Sequence, residues 1–150
     1  MAEYTATIRS SLPPGEAFSY MARFGNVREW DPSVVEAEPV GTGEPRLGSA
    51  FRLVTRVRGR EVPLRYEITA FDPDRRVVLE AINPRFRSVD TVTVAPEGSG
   101  STVTYHARLV PRGVMRLAEP FLAITFARLA RAAERGLRGR LGEAPDRVSP

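Results

Sequence analysis

Between residues 34 and 110 the chain repeats one pattern six times: a short run of alternating apolar and polar residues, closed by a few residues of turn chemistry. The runs fall at about 34–40, 49–58, 61–71, 75–82, 86–95 and 101–110. The breaks are Gly41-Thr42-Gly43-Glu44-Pro45, Arg58-Gly59-Arg60, Asp72-Pro73-Asp74, Asn83-Pro84 and Pro96-Glu97-Gly98-Ser99-Gly100. Strands joined this tightly can only pair antiparallel with their neighbours. Phe51, Leu53, Thr55 and Val57 share one face, as do Leu64, Tyr66 and Ile68, and then Val103, Tyr105, Ala107 and Leu109. The opposite phase carries Arg52, Arg56, Arg65, Glu67, Thr104, His106 and Arg108. The pattern predicts a meander with one covered and one wet face.

What covers the apolar face is written at the two ends. Residues 3–9 alternate with Tyr4, Ala6 and Ile8 in phase, a further strand, for about seven in all. Ser10 to Pro14 stop it and open a short helix over Glu16–Arg23, with Ser11 placed to cap it. After Gly25, Asn26–Trp30 make a second short helical turn, ended by Asp31-Pro32. At the other end Met115, Ala118, Leu122, Phe126, Leu129, Ala133 and Leu137 step by three and four residues, a continuous helical stripe. Pro120 should kink this helix or start its main segment near Glu119. The fold class expected is α+β: a curved antiparallel sheet wrapped round a long C-terminal helix. One helix cannot fill the concavity of such a sheet, so an internal space is expected between them. Residues 1–142 read as a single domain and 143–150 as a flexible tail.

Composition removes several chemistries. The chain has 150 residues, no cysteine and one histidine, His106. Disulfides, thiolate sites and a Cys/His zinc site are excluded. All 22 basic residues are arginine, so Schiff-base lysine chemistry is out. There is no glycine-rich phosphate loop, no G-x-S-x-G and no H-E-x-x-H. No metal and no cofactor is expected. No apolar run approaches a membrane span, so no membrane insertion is expected. Residues 1–10 show no signal peptide, and a cytoplasmic location is the default expectation. The arginines of the last helix have the spacing of a solvated face and no interleaved aromatics, which argues against nucleic acid.

The order strand, two short helices, six strands, long helix resembles the START/Bet v 1-like superfamily, also called SRPBCC or the helix-grip fold. Phe24-Gly-Asn-Val-Arg-Glu-Trp30-Asp31-Pro32 is similar to the F-x-N-x-x-x-W-D/N-P segment of its polyketide cyclase/dehydrase-like branch. Leu64-Arg-Tyr66-Glu-Ile68-Thr-Ala-Phe71-Asp-Pro73 resembles that branch's fourth strand and turn, and Gly100-Ser-Thr-Val-Thr-Tyr105 its G-T-x-V-T-Y segment. The resemblance covers about residues 3–140. It implies an internal cavity, and it places Trp30 beside the short helices near the cavity entrance.

The candidate site is the inner face. Asp90 shares its phase with Val92 and Val94, together with Ser88 and Phe86. A carboxylate there can act as general base or orient a polar ligand group, since desolvation raises its pKa. The competing expectations are a bulge that turns Asp90 outward, or pairing with an arginine. Tyr66 and Tyr105 also point inward, as hydrogen-bond donors or as core residues. The apolar wall is expected from Trp30, Phe51, Leu53, Leu64, Ile68, Leu122, Phe126 and Leu129. His106 belongs to the outer phase, and Arg85 and Arg87 are candidates for an anionic group at the mouth. The leading expectation is binding of a small hydrophobic molecule, such as a polyketide, lipid or isoprenoid-like compound. The alternative is an aromatase/cyclase or dehydrase acting on a poly-keto chain; a third reading is a subunit of a larger assembly. Oligomeric state is not legible.

Overall fold

Seven strands form one antiparallel sheet in a computed structural model that describes residues 2–142. They are β1 (Ala2–Ser10), β2 (Val34–Val40), β3 (Ala50–Val57), β4 (Arg60–Asp72), β5 (Arg76–Ile82), β6 (Phe86–Glu97) and β7 (Gly100–Pro111). The expected tail, residues 143–150, lies outside the described residues. The spatial order is β1-β7-β6-β5-β4-β3-β2. Strands β2 to β7 are a meander, and β1 closes the far edge against β7, with Ile8 opposite Val103. The chain therefore has to cross from one edge of the sheet to the other between β1 and β2. Helix α1 (Pro14–Ala22) and a 3-10 segment (Phe24–Glu29) make that crossing.

The turns follow the sequence chemistry. At Arg58-Gly59 both residues take positive φ, 51° and 77°, and Val57 pairs with Arg60. That is the primed two-residue hairpin whose twist suits antiparallel strands. Register shifts between Val34 and Glu36 and between Ile68 and Ala70 put bulges in β2 and β4, which bend the sheet.

Ser11 does not cap α1. The helix begins at Pro14 with Pro13 at the cap and no side-chain cap bond. Proline at the first position lacks the N–H that a cap would satisfy. The serines serve the other end of the chain instead. Ser10 Oγ donates to the Leu141 carbonyl at 2.7 Å, and the Ser11 N–H donates to the Gly142 carbonyl at 3.1 Å.

The long helix α2 (Glu119–Arg140) follows a 3-10 segment, Gly113–Ala118, so Pro120 marks its start. Its C-terminal half is held firmly. Leu137, Leu141 and Ala133 are buried, and Tyr4 donates to Glu134, which also accepts from Arg138 at 2.7 Å. Gly136 lies against the Trp30 carbonyl so closely that a Cβ there would stand 2.0 Å from the oxygen. Only glycine permits that approach. The solid core packs Ala17, Phe18 and Met21 of α1, with Phe24 and Val27, onto Ile8, Leu79, Val92 and Val103 of the sheet. The N-terminal half of α2 contributes nothing to it.

Candidate functional site

Because α1 and the 3-10 segment fill one end of the concave sheet and only the C-terminal half of α2 reaches the core, the other end stays open. It forms a cavity of about 670 Å³ between the sheet and the N-terminal half of α2. Its apolar wall includes Leu64, Phe86, Leu109, Leu122, Phe126 and Leu129. The rim is made by the β3–β4 hairpin, the Asn83–Phe86 loop and Met115. The loop is stiffened by its own asparagine, whose Oδ1 accepts from the N–H groups of Arg85 at 2.8 Å and Phe86 at 3.0 Å. Across the rim, Arg58 Nη2 donates to Thr125 Oγ1 at 3.1 Å.

One patch of the wall is polar. Asp90, Ser88, Tyr66, Tyr105, Asp31 and Ser33 all face the cavity. The Tyr105 hydroxyl donates to Asp90 Oδ2 at 2.6 Å, and the Tyr66 hydroxyl donates to Ser88 Oγ at 3.0 Å. β6 and β7 pair Asp90 with Ala107 and Val92 with Tyr105, so Tyr105 stands diagonally across the ladder from the carboxylate it serves. The Trp30 ring meets that of Tyr105 edge-on at 5.4 Å and fixes its position from behind.

Burial sets the protonation of this patch. Desolvation pushes the Asp90 carboxyl from its ordinary 3.8 up to about 7, and the charge of Asp31 adds to the rise. The hydrogen bonds from Tyr105 and Ser88 oppose it. Asp31 is raised as well, again by burial, against bonds from the Ser33 N–H at 2.9 Å and hydroxyl at 2.7 Å. Burial first, and the Asp90 charge second, raise both Tyr66 and Tyr105 well above the ordinary phenol. The tyrosines are hence fixed donors near neutral pH, while Asp90 can hold or release a proton.

The inward phase of β6 is as the alternation predicts, with Ser88, Asp90, Val92 and Val94 buried, and no bulge turns Asp90 outward. Its partner is a tyrosine, not an arginine. Of the wall residues expected from the sequence, Leu64, Tyr66, Phe86, Ser88, Tyr105, Leu122, Phe126 and Leu129 border the cavity with Asp90. Trp30, Phe51, Leu53 and Ile68 do not, and their placement on the wall is corrected. Phe51, Leu53 and Ile68 share the inward face of the sheet, Trp30 follows the 3-10 segment, and all four pack in the core cluster with residues of α1 and that segment. Phe51 meets Phe24 at 6.2 Å, and Trp30 is covered by α2 at Gly136. Arg87 pairs with Glu80 on the neighbouring strand β5, while Arg85 borders the cavity. His106 sits on the outer side, its Nε2 3.8 Å from Glu3. Sequence reasoning misses Asp31 and Ser33. Asp31 stands in the Trp30-Asp31-Pro32 segment, which reads as a helix stop and as part of the family-like motif but assigns it no place in the cavity. Among the described residues, no three of the His, Asp and Glu side chains cluster as metal ligands would.

A curved sheet gripping a C-terminal helix over a largely apolar cavity defines a START-like helix-grip protein. The chain belongs to the polyketide cyclase/dehydrase and lipid transport family, which matches residues 1–142. No curated protein matches it. Among solved structures it is similar to a START superfamily protein from Mycobacterium smegmatis, with a TM-score of 0.74 at 11% identity, covering 95% of this chain and 98% of that one. It is similar to the ZhuI aromatase/cyclase from Streptomyces sp. R1128, with a TM-score of 0.76 at 13% identity and 93% of each chain covered. It is also similar to a major latex-like protein from Panax ginseng, with a TM-score of 0.64 at 13% identity, covering 93% and 97%. Identities this low speak for the shared fold alone.

Proposed function

We propose that the cavity takes up a small hydrophobic molecule of the polyketide, lipid or isoprenoid-like kind that carries one polar end, and that Asp90 receives that end. The observation behind this is the hydrogen-bonded Asp90–Tyr105 pair, set into the wall of an otherwise apolar cavity of about 670 Å³. That volume falls within the usual range for small-molecule sites, roughly 300–1,000 Å³. Apolar burial supplies the affinity, and the polar patch sets the orientation. A keto oxygen accepts from protonated Asp90; a hydroxyl donates to its charged form. The test is mass spectrometry of the natively purified protein, with melting temperature measured against a panel of polyketide-like aromatics, fatty acids and isoprenoids. A bound compound, or a saturable rise in melting temperature, is the expected result. A panel without effect overturns the reading.

The elevated Asp90 carboxyl favours one second reading, catalysis on a poly-keto chain. An acid titrating at about 7 suits proton transfer near neutral pH. Ionised Asp90 would take a proton from a methylene between two carbonyls, and the enolate oxygen would accept from a tyrosine hydroxyl. The enolate carbon would add to a distant keto carbon of the same chain, forming the ring C–C bond, and the resulting alkoxide would take the proton back from Asp90. Ionised again, Asp90 would remove the second proton of the former methylene and deliver it to the new hydroxyl, which leaves as water as the C=C bond forms. Asp90→Asn keeps the shape and removes the base. In an enzyme it abolishes product formation from a poly-keto mimic while affinity persists; in a carrier there is no turnover to lose.

A further inference from the structure

The outward side of the C-terminal helical region carries a second pattern, independent of the cavity. Val114, Leu117, Phe121, Ile124, Arg128, Arg131 and Arg135 step by 3, 4, 3, 4, 3 and 4 residues, so they lie in one row. The first four are large, apolar and open to solvent, with 82%, 88%, 67% and 57% of their surface exposed. The last three are exposed arginines. The row is thus apolar for its first three turns and cationic for its last two. Between residues 113 and 131 the only acid is Glu119, which is half-buried. Arg112 and Arg116 flank the start of the row.

A solvated helix has one apolar stripe and one polar face. Over residues 114–126 this one has two apolar faces. Met115, Leu122 and Phe126 border the cavity, and the outer row faces away from it. Burial inside the protein explains the inner face and nothing of the outer. A contiguous exposed apolar patch marks an interaction site.

We propose that this row docks the protein on an anionic phospholipid surface. The chemistry is that of an interfacial helix: an apolar row entering the boundary between headgroups and acyl chains, with arginines at headgroup level. A protein partner would favour an apolar centre ringed by polar residues. Here the exposed charges beside the row are all positive, Arg112 and Arg116 at its start and Arg128, Arg131 and Arg135 at its end, which complements a uniformly anionic headgroup layer. The apolar part spans about 17 Å at 2.0 Å per residue in the 3-10 segment and 1.5 Å in α2. A helix lying in the interface with this row downward would set the Val114, Leu117, Phe121 and Ile124 side chains at the acyl boundary, with Arg112, Arg116, Arg128, Arg131 and Arg135 reaching the phosphates. The attachment is peripheral, because no helix among the described residues is long and apolar enough to cross a membrane. It would also bring the cavity rim, where Met115 lies, to the lipid.

The test needs no cavity ligand, so it stands or falls apart from the function proposed above. Vesicles of phosphatidylcholine alone, and of equal parts phosphatidylcholine and phosphatidylglycerol, are mixed with the purified protein and sedimented. The parent should sediment with the anionic vesicles, weakly with the neutral ones, and less as salt rises. Leu117→Ser with Phe121→Ser should weaken partition at least about tenfold, given the apolar surface removed. Both residues project into solvent, and an unchanged melting temperature confirms that the variant folds. Leu117→Trp gives a local readout, since the one native tryptophan, Trp30, is buried. Its emission should shift to the blue on anionic vesicles. Arg128→Glu with Arg131→Glu should abolish the preference for anionic lipid. A parent that stays in solution overturns the proposal, as does a serine variant that sediments like the parent. Equal binding to neutral vesicles overturns the anionic assignment. A concentration-dependent dimer, lost in the serine variant and without vesicle binding, would assign the row to a second copy of the chain.

Discussion

Replacing Asp90 by asparagine should make stability respond to pH in a defined direction. Asp90 is buried, and its carboxyl titrates at about 7 in the fold against an ordinary 3.8. Between those values the folded protein holds a proton that the unfolded chain has released. The stabilisation tied to neutral Asp90 is therefore full below about pH 4, declines as pH rises, and is gone once pH passes the folded value near 7. At about 1.4 kcal/mol for each tenfold change in proton affinity, the full loss is about 4 kcal/mol. Against the 5–15 kcal/mol typical of a whole domain that is large. The asparagine amide cannot ionise and still accepts from the Tyr105 hydroxyl, so the variant lacks this decline. Asp31 is present in both proteins, and most of its own titration cancels in the difference. Urea unfolding followed by circular dichroism from pH 4 to pH 8 measures the gap. The variant should gain about 4 kcal/mol on the parent across that range. A gap constant to within about 1 kcal/mol would mean that the carboxyl is not raised in the fold, and the claim that burial outweighs the hydrogen bonds from Tyr105 and Ser88 would be refuted.

Gly136→Ala would put a methyl 2.0 Å from the Trp30 carbonyl, so α2 must shift; a loss of about 3 kcal/mol is expected by denaturant unfolding. Phe126→Ala and Leu137→Ala should differ sharply. Leu137 is fully buried and should cost about 2–5 kcal/mol, whereas Phe126 borders a void and should cost about 1 kcal/mol, well under the usual 3–5 for phenylalanine in a packed core. Ser10→Ala removes the hydroxyl that holds the Leu141 carbonyl and should cost about 1 kcal/mol in the same assay.

Strand alternation and proline–glycine punctuation make the meander readable before any coordinates, because each is a local consequence of backbone sterics. The inward phase of Asp90 is readable for the same reason: side chains alternate strictly along β6. Position along a strand is not. Leu64 and Ile68 share a face four residues apart, yet Leu64 borders the cavity and Ile68 lies in solid core. What separates them is where α1 and the 3-10 segment settle, a tertiary matter that periodicity does not encode. Asp31 escapes notice because a residue before proline reads as a terminator. The outer row escapes it because the inner stripe already accounts for the helix.

The unequal attachment of α2 has a kinetic consequence. Its base is held by Ser10, Ser11, Tyr4 and the fit of Gly136 on Trp30, while its outer half spans a void and is tied to the β3–β4 hairpin by Arg58 at Thr125. Amide exchange should therefore slow progressively from Phe121 toward Leu137, since local opening costs least where the fewest contacts break. A guest in the cavity would leave through that local opening and not through global unfolding. Its residence time would then follow the strength of the Arg58–Thr125 clasp and be nearly indifferent to mutations that weaken the core around Trp30.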